Sequence, residues 1–388
     1  MKICILGWYG TETIGDRAIL AGIFSLLHKT VGYYEISLGS LYPFYSKRML
    51  QEDKILYRYL LNRDLKVELF ESKNQSILKT SIDSSDVVII GGGPLMDLPE
   101  LYMLRFAFKY AKKKGKKTII CGCGIGPLFK KDYQICVLDI INLADGIILR
   151  DSKSKKILID LAAQIGMFLP ERVKVGFDPA VECALEYKKI ISVQTSKASE
   201  EIIVNLREFP SEYSNNNNKQ YIEKELKQFF ESVANYFAKK AILLIPMHYF
   251  FIGNDDRYFL NKLNMDLPFT IKNTLVQNKH LSLIETMEKF FYAEFTIGMR
   301  FHSVVLQTIL NGNNLILDYT EPSKGKIGGF LYDIDKSGFY NNRYINLQDL
   351  KASLNLENFR FNENKFQINP DYFIRNQKQY IDAIKEFL

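Results

Sequence analysis

Short apolar runs recur along the chain, each followed by a glycine-rich or polar turn and then by apolar residues at helical spacing. "KICIL" leads through "GWYGTETIGD" into "RAILAGIFSLLHK", and "DVVIIGGGP" leads into "LPELYMLRFAFKYAKKK". "KTIICGCGIGP" precedes "DYQICVLDIINLA", "GIILRD" precedes "SKSKKILIDLAAQIG", and "VKVGFDPAV" closes the set. Apolar strands that alternate with helices imply a parallel sheet with helices on both faces. The pattern therefore predicts a doubly wound α/β domain, with its loops gathered at the C-terminal ends of the strands.

From about residue 185 the alternation blurs, and "SEYSNNNNKQ" at 211–220 is a low-complexity loop that cannot build a core. A second alternation starts at "EEIIVNLREFP". It continues through a helix at about 220–239, "AILLIPMHY", "LSLIETMEKFFYA", "EFTIGMR", "SVVLQTILNG" and "NLILDY". At 388 residues the chain exceeds the usual size of one hydrophobic core, so two Rossmann-like domains are expected, 1–194 and 195–388. The last helical stretch, "DYFIRNQKQYIDAIKEFL", fits either domain. Ligands in such a two-lobed arrangement are expected in a cleft between the lobes.

Composition narrows the partners only slightly. A formal charge of +7, spread along the chain, favours anionic substrates or a loose approach to an acidic membrane face. Without a nucleic-acid module or a basic stripe with interleaved aromatics, nucleic-acid binding is not expected. The densest run, "KYAKKKGKKTII", reads as a helix end, with lysines at the negative end of the dipole and Gly115 just beyond it. The five cysteines, Cys4, Cys121, Cys123, Cys136 and Cys183, form no C-x-x-C pair and read as buried thiols of a reducing compartment. "MKICILGWYG" is too short an apolar run for a signal sequence, and no stretch reaches about 18 consecutive apolar residues. A cytoplasmic, non-spanning chain is the expectation.

Four strand ends carry unusual loops. In the first, Gly7, Gly10 and Gly15 permit sharp turns or close backbone approach, and Asp16 is placed to cap the following helix. In the second, Gly91, Gly92 and Gly93 follow a buried strand directly; their entropic cost calls for a reason, and a ligand pressed against the main chain is one. Asp97 just beyond them reads equally as a helix cap or as a carboxylate with a catalytic or sugar-hydroxyl role. In the third, Arg150 stands where a strand gives way to a helix, suited either to forking onto a phosphate or to pairing with Asp151 or Asp178. The fourth, "FTIGMRFHSVVLQTILNG", sets Arg300 and His302 on one side if extended, before a helix starting near Ser303 whose free N–H groups add positive potential. His28, His248 and His280 receive only structural readings.

The ordered set "GWYGTETIGDRAIL", "GGGPLMD", "GIGP", "RDSKS", "DPAV", "NLRE", "GMRFHSVVLQTILNG" and "SKGKIGGF" resembles the polysaccharide pyruvyl transferase family, from the first strand to about residue 331. The resemblance implies a GT-B-like pair of domains, the first on the acceptor side and the second on the donor side. It implies transfer of the pyruvyl unit of phosphoenolpyruvate to a sugar as a ketal, the acceptors being cell-surface polysaccharide sugars or their lipid-linked precursors. On this resemblance His302 is the catalytic histidine, Arg300 its companion and Asp97 the carboxylate after the glycines. Arg150, Arg207 and Lys326 hold the donor, and Gly10, Gly15, Asp16, Gly92, Gly93 and Ser303 complete the substrate contacts. Thr11, Glu12, Thr13 and Arg17 depart from the family pattern, which leaves the acceptor side open.

The residue chemistry agrees with such a donor. Phosphoenolpyruvate carries a phosphate and a carboxylate, and four cations, Arg150, Arg207, Arg300 and Lys326, match it without a metal or cofactor. Trp8, Tyr9, Tyr42, Phe44 and Tyr45 are aromatic candidates for stacking on an acceptor sugar. The rival readings are a nucleotide-sugar glycosyltransferase of the same fold and a binding protein that has lost the chemistry. Peripheral membrane association and the oligomeric state stay open.

Overall fold

The computed structural model describes all residues except 167, 168, 170, 171, 194–198, 211, 212, 214–217, 321–324, 350–363 and 388. The expected boundary at 194/195 and most of the asparagine-rich loop lie outside the described residues. The chain divides into two compact units: Met1–Glu12, Asp16–Tyr187 and Asn369–Leu388 form the first, Thr13–Gly15 and Lys188–Ile368 the second.

The first unit begins with β1 (Lys2–Leu6), α1 (Ile14–Val31), β2 (Glu35–Ser40), α2 (Pro43–Glu52), α3 (Lys54–Leu61), β3 (Val67–Glu71) and α4 (Gln75–Asp83). It continues with β4 (Val87–Gly91), β5 (Pro94–Leu95), α5 (Glu100–Lys113), β6 (Lys117–Ile125), α6 (Lys131–Leu143), β7 (Gly146–Leu149), α7 (Ser152–Gln164), β8 (Val173–Val175) and α8 (Pro179–Ile191). The strands run parallel in the order β3-β2-β1-β4-β6-β7-β8, with β5 pairing β6. β1 sits at the centre with Ile3 opposite Val87 and Ile5 opposite Ile89, and its Ile3, Cys4, Ile5 and Leu6 are wholly buried. An unbroken apolar run suits that place, because a central parallel strand is covered on both faces.

The lysine-rich tract ends α5 as its sequence requires: Lys112 and Lys113 fill the last turn and Gly115 follows at φ +68°. All five cysteines are buried and unbridged.

The second unit holds β9 (Ile202–Asn205), α9 (Asn218–Tyr236), β10 (Ile242–Leu244), α10 (Asp256–Met265), β11 (Thr274–Val276), α11 (Leu283–Tyr292) and β12 (Phe295–Gly298). After these come α12 (Phe301–Leu310), β13 (Asn314–Asp318), α13 (Lys326–Ile334) and β14 (Tyr344–Asn346). Its strands are parallel in the order β11-β10-β9-β12-β13-β14.

The final helix, α14 (Pro370–Phe387), belongs to the first unit, one of the two assignments that its sequence left open. The reason is packing. Tyr380 is fully buried, donates its hydroxyl proton to the carbonyl of Phe177, and places its ring 5.1 Å from that of Phe177. Phe373 stacks on Phe177 at 5.2 Å, and Gln377 donates to the buried Glu182 carboxylate at 2.8 Å.

Candidate functional site

In the second sheet the C-terminal ends of β10, β9, β12 and β13 lie side by side. This is the edge where an open parallel sheet binds ligands, because its helix N-termini and loops converge there. Beyond those four ends stand His248, Asn205 with Arg207, Arg300, and Tyr319.

Asp256, the first residue of α10, is the hub. Its buried carboxylate accepts the N–H groups of Met247 at 2.9 Å and His248 at 3.2 Å. The same carboxylate takes the guanidinium of Arg300, through Nε at 2.8 Å to both oxygens and Nη2 at 2.6 Å. Nη2 also donates to the carbonyl of Asn254 at 3.1 Å. The Arg300 main-chain N–H donates to Oδ1 of Asn205 at 3.1 Å, and Asn205 donates through Nδ2 to the carbonyl of Ile245 at 2.9 Å. Three strand ends are thus laced together. Burial and the neighbouring Arg207 lower the Arg300 pKa, against the pull of Asp256.

Tyr319 was singled out by no sequence argument. Its ring is 2% exposed at the end of β13. The guanidinium carbon of Arg207 lies 5.1 Å from its centroid, and Nζ of Lys326, the first residue of α13, lies 5.9 Å from it. Burial pushes the phenol pKa up, but Lys326, Arg207 and Arg300 outweigh it and the net shift is downward. Three cations predicted to hold an anion are therefore gathered in one place. Arg207 and Arg300 also line a cavity of about 590 Å³ together with Phe251, Asn254 and Tyr258, a volume suited to a small organic ligand.

His302 is the second residue of α12, and Arg300 is that helix's N-cap in extended conformation. The helix therefore starts two residues earlier than expected, and the alternation of an extended strand does not relate Arg300 to His302. The imidazole packs against Gly15. A methyl group there would fall 2.0 Å from Nδ1 and 2.4 Å from Cγ, so no larger side chain fits. Segment 13–15 is fixed by the N–H of Ile14 donating to the carbonyl of Met247 at 3.1 Å, and by the Thr13 hydroxyl 2.8 Å from Nδ1 of His248. Nε2 of His248 lies 2.6 Å from the carbonyl of Ile252 and must carry the proton, leaving Nδ1 to accept from Thr13. Burial and then Arg300 push the His248 pKa down to about 4.

Several expected ligand contacts have other partners. Ser303 is wholly buried with its Oγ accepting from Nε2 of Gln307 at 2.8 Å, since one helical turn brings the two together inside the packing. In the first unit, Arg150 is 5% exposed, packs on Gly124, and pairs with Asp151 at 3.0 Å and Asp178 at 3.7 Å. Asp97 does not cap α5; its Oδ2 accepts the N–H groups of Phe129 and Lys130 at 2.9 and 3.0 Å, while Oδ1 is buried with no hydrogen-bond partner among the described residues. Asp16 lies in the first turn of α1 and accepts from the Thr11 hydroxyl at 3.2 Å. Gly92 and Gly93 take positive φ, with Gly93 against the Trp8 indole, and Gly10 at φ +91° closes on Ser40 and Tyr42. Tyr9 is fully buried, donating to the carbonyl of Gly91 at 2.6 Å, and offers no face to a sugar. Arg17 is buried against Asp53 and Glu52.

Two parallel α/β units, one with cations gathered at its strand ends, define a protein of the GT-B structural class. The solved structures agree on the fold: the UDP-GlcNAc 2-epimerase of Methanocaldococcus jannaschii shares 12% identity over 100% of both chains with a TM-score of 0.58. That of Neisseria meningitidis shares 9% over 100% of both chains with a TM-score of 0.53. No curated protein matches the chain. The family model of polysaccharide pyruvyl transferase matches residues 14–321, and the chain belongs to that family.

Proposed function

We propose that this transferase takes the pyruvyl unit of phosphoenolpyruvate and sets it as a ketal across two hydroxyls of a cell-surface polysaccharide sugar or its precursor. The observation that carries the reading is the gathering of Arg207, Arg300 and Lys326 around Tyr319, on the sheet edge from which α12 presents His302. A donor with a phosphate and a carboxylate needs such a set of cations.

The reaction consumes one donor and two hydroxyl groups. A proton goes to the methylene carbon, and the central carbon becomes cationic and accepts the first hydroxyl oxygen. The bond from that carbon to the phosphate oxygen then breaks as the second hydroxyl adds. Of the two hydroxyl protons released, one balances the proton spent on the methyl group and the other leaves with phosphate. His302 is the general acid and base for these transfers. Arg207 and Lys326 meet the donor's charge. Arg300, pinned by Asp256, supplies a fixed positive potential that a preorganised site converts into about 3 kcal/mol of barrier lowering. The ion pairs of Arg150 make it a scaffold for its loop.

The test is phosphate release from phosphoenolpyruvate in the presence of candidate sugars, by the wild type and by His302→Ala. Acceptor-dependent release by the wild type alone supports the reading. Stabilisation by UDP-, GDP- or CMP-sugars, with none by phosphoenolpyruvate, supports a nucleotide-sugar glycosyltransferase instead.

A further inference from the structure

Tyr319 is a buried phenol with three cations near it among the described residues. Nζ of Lys326 on α13 lies 5.9 Å from its ring centroid. Arg207, beyond β9, stands 5.1 Å from the ring, and Arg300, capping α12, acts on it through space. The ring of Tyr213 meets it edge-on at 5.7 Å. The nearest carboxylate in sequence, Asp318, is engaged elsewhere: Oδ1 accepts from the N–H and hydroxyl of Thr320 at 2.8 and 2.6 Å, and Oδ2 from the Tyr344 hydroxyl at 2.8 Å. Asp256 is committed to Arg300. The Tyr319 side chain thus stands where positive charge from three separate elements converges.

Convergence of three cations is costly, because like charges repel strongly in a partly dry site. Asp256 offsets part of it through Arg300, and the Tyr319 side chain is placed to offset more before an anion arrives. We propose that Tyr319 is a positioning residue whose side chain holds Lys326 and Arg207 beside Arg300 in the free protein and yields them to the anionic donor on binding. The proposal rests on the donor reading above and adds a proton linkage to it. Where the phenol is ionised, its charge competes with the donor for the same cations. Where the donor is bound, the cations are neutralised and the phenol regains a higher pKa. Donor affinity must therefore fall as pH rises through the ionisation of Tyr319 in the free protein, by about tenfold per pH unit beyond it.

Two measurements on the full chain test this. The first is titration of tyrosinate absorbance with and without phosphoenolpyruvate, and separately with inorganic phosphate, for the wild type and Tyr319→Phe. One tyrosine of the wild type is expected to ionise below the ordinary phenol range, to be missing in Tyr319→Phe, and to be shifted upward by either anion. The second is phosphoenolpyruvate affinity against pH, where the wild type loses affinity on the alkaline side and Tyr319→Phe loses that limb.

An alkaline limb unchanged in Tyr319→Phe assigns it to Lys326 and overturns the proposal, as does the absence of any low-ionising tyrosine. If phosphoenolpyruvate has no effect but phosphate shifts the tyrosine, the donor reading fails and the linkage stands. If Tyr319→Phe does not fold, the wild-type titration with and without anion still decides.

Discussion

His302 and Gly15 form a tightly fitted pair: an imidazole at the start of one helix against a bare Cα in the first turn of another. Replacing His302 by Ala removes the proposed acid and base without opening a large void. Turnover is expected to fall by at least about a hundredfold, while thermal stability stays close to that of the wild type by calorimetry. Gly15→Ala is the complementary test. Its methyl group displaces the ring, so kcat is expected to fall sharply although His302 remains; wild-type kcat in that variant argues against a catalytic imidazole held at this position. Arg300, His302 and Lys326 were legible in the sequence because family-like motifs surround them. Tyr319 and Asp256 were not, since "LILDYTE" and "GNDDRYF" carry no unusual spacing and their roles arise only when separate strand ends meet.

At the scale of elements, the edge formed by β10, β9 and β12 depends on Asp256, which takes two backbone N–H groups and one guanidinium. Asp256→Asn leaves Arg300 buried without its counter-charge. The expected loss is about 3 to 5 kcal/mol in chemical denaturation, accompanied by loss of activity. The His248 clasp adds a pH dependence. Its folded pKa of about 4 is below the ordinary histidine value near 6.5, so the unfolded chain binds the extra proton first. Its stabilising contribution is complete above about pH 6.5 and is lost progressively toward pH 4. His248→Gln, compared with the wild type in urea titrations from pH 7 to 4, is expected to show a shallower decline across that window. The alternating strands and helices were readable wherever apolar runs were continuous, as in β1, β4, β6 and β12. The stretch holding β2, α2, α3, β3 and α4 was not: β3 is "VELFE", half-exposed, and neither its length nor its pattern separates it from a loop.

For the whole molecule, donor binding is expected to raise the unfolding temperature with the logarithm of phosphoenolpyruvate concentration over its dissociation constant, and nucleotide sugars are expected to leave it unchanged. Differential scanning fluorimetry reads both. Among the described residues no helix is long and apolar enough to cross a membrane, and no group of three or more His, Cys, Asp or Glu side chains is arranged to hold a metal ion. The assignment of α14 could not be read in advance, because its amphipathic pattern suits either unit and its packing against Phe177, Glu182 and the glycines Gly122 and Gly176 decides it. Truncation before residue 369 uncovers Phe177 and removes Tyr380 from the first core, and an aggregated or unstable product is expected.

The same helix reverses the order of assembly. A ribosome delivers residues 188–368 before 369–388, so the first unit waits, unfinished, while the one inserted into it has its whole sequence to hand, residues 13–15 included. Nascent-chain proteolysis should find the later-made half protected first, and the earlier-made half sealed only when Tyr380 reaches its pocket.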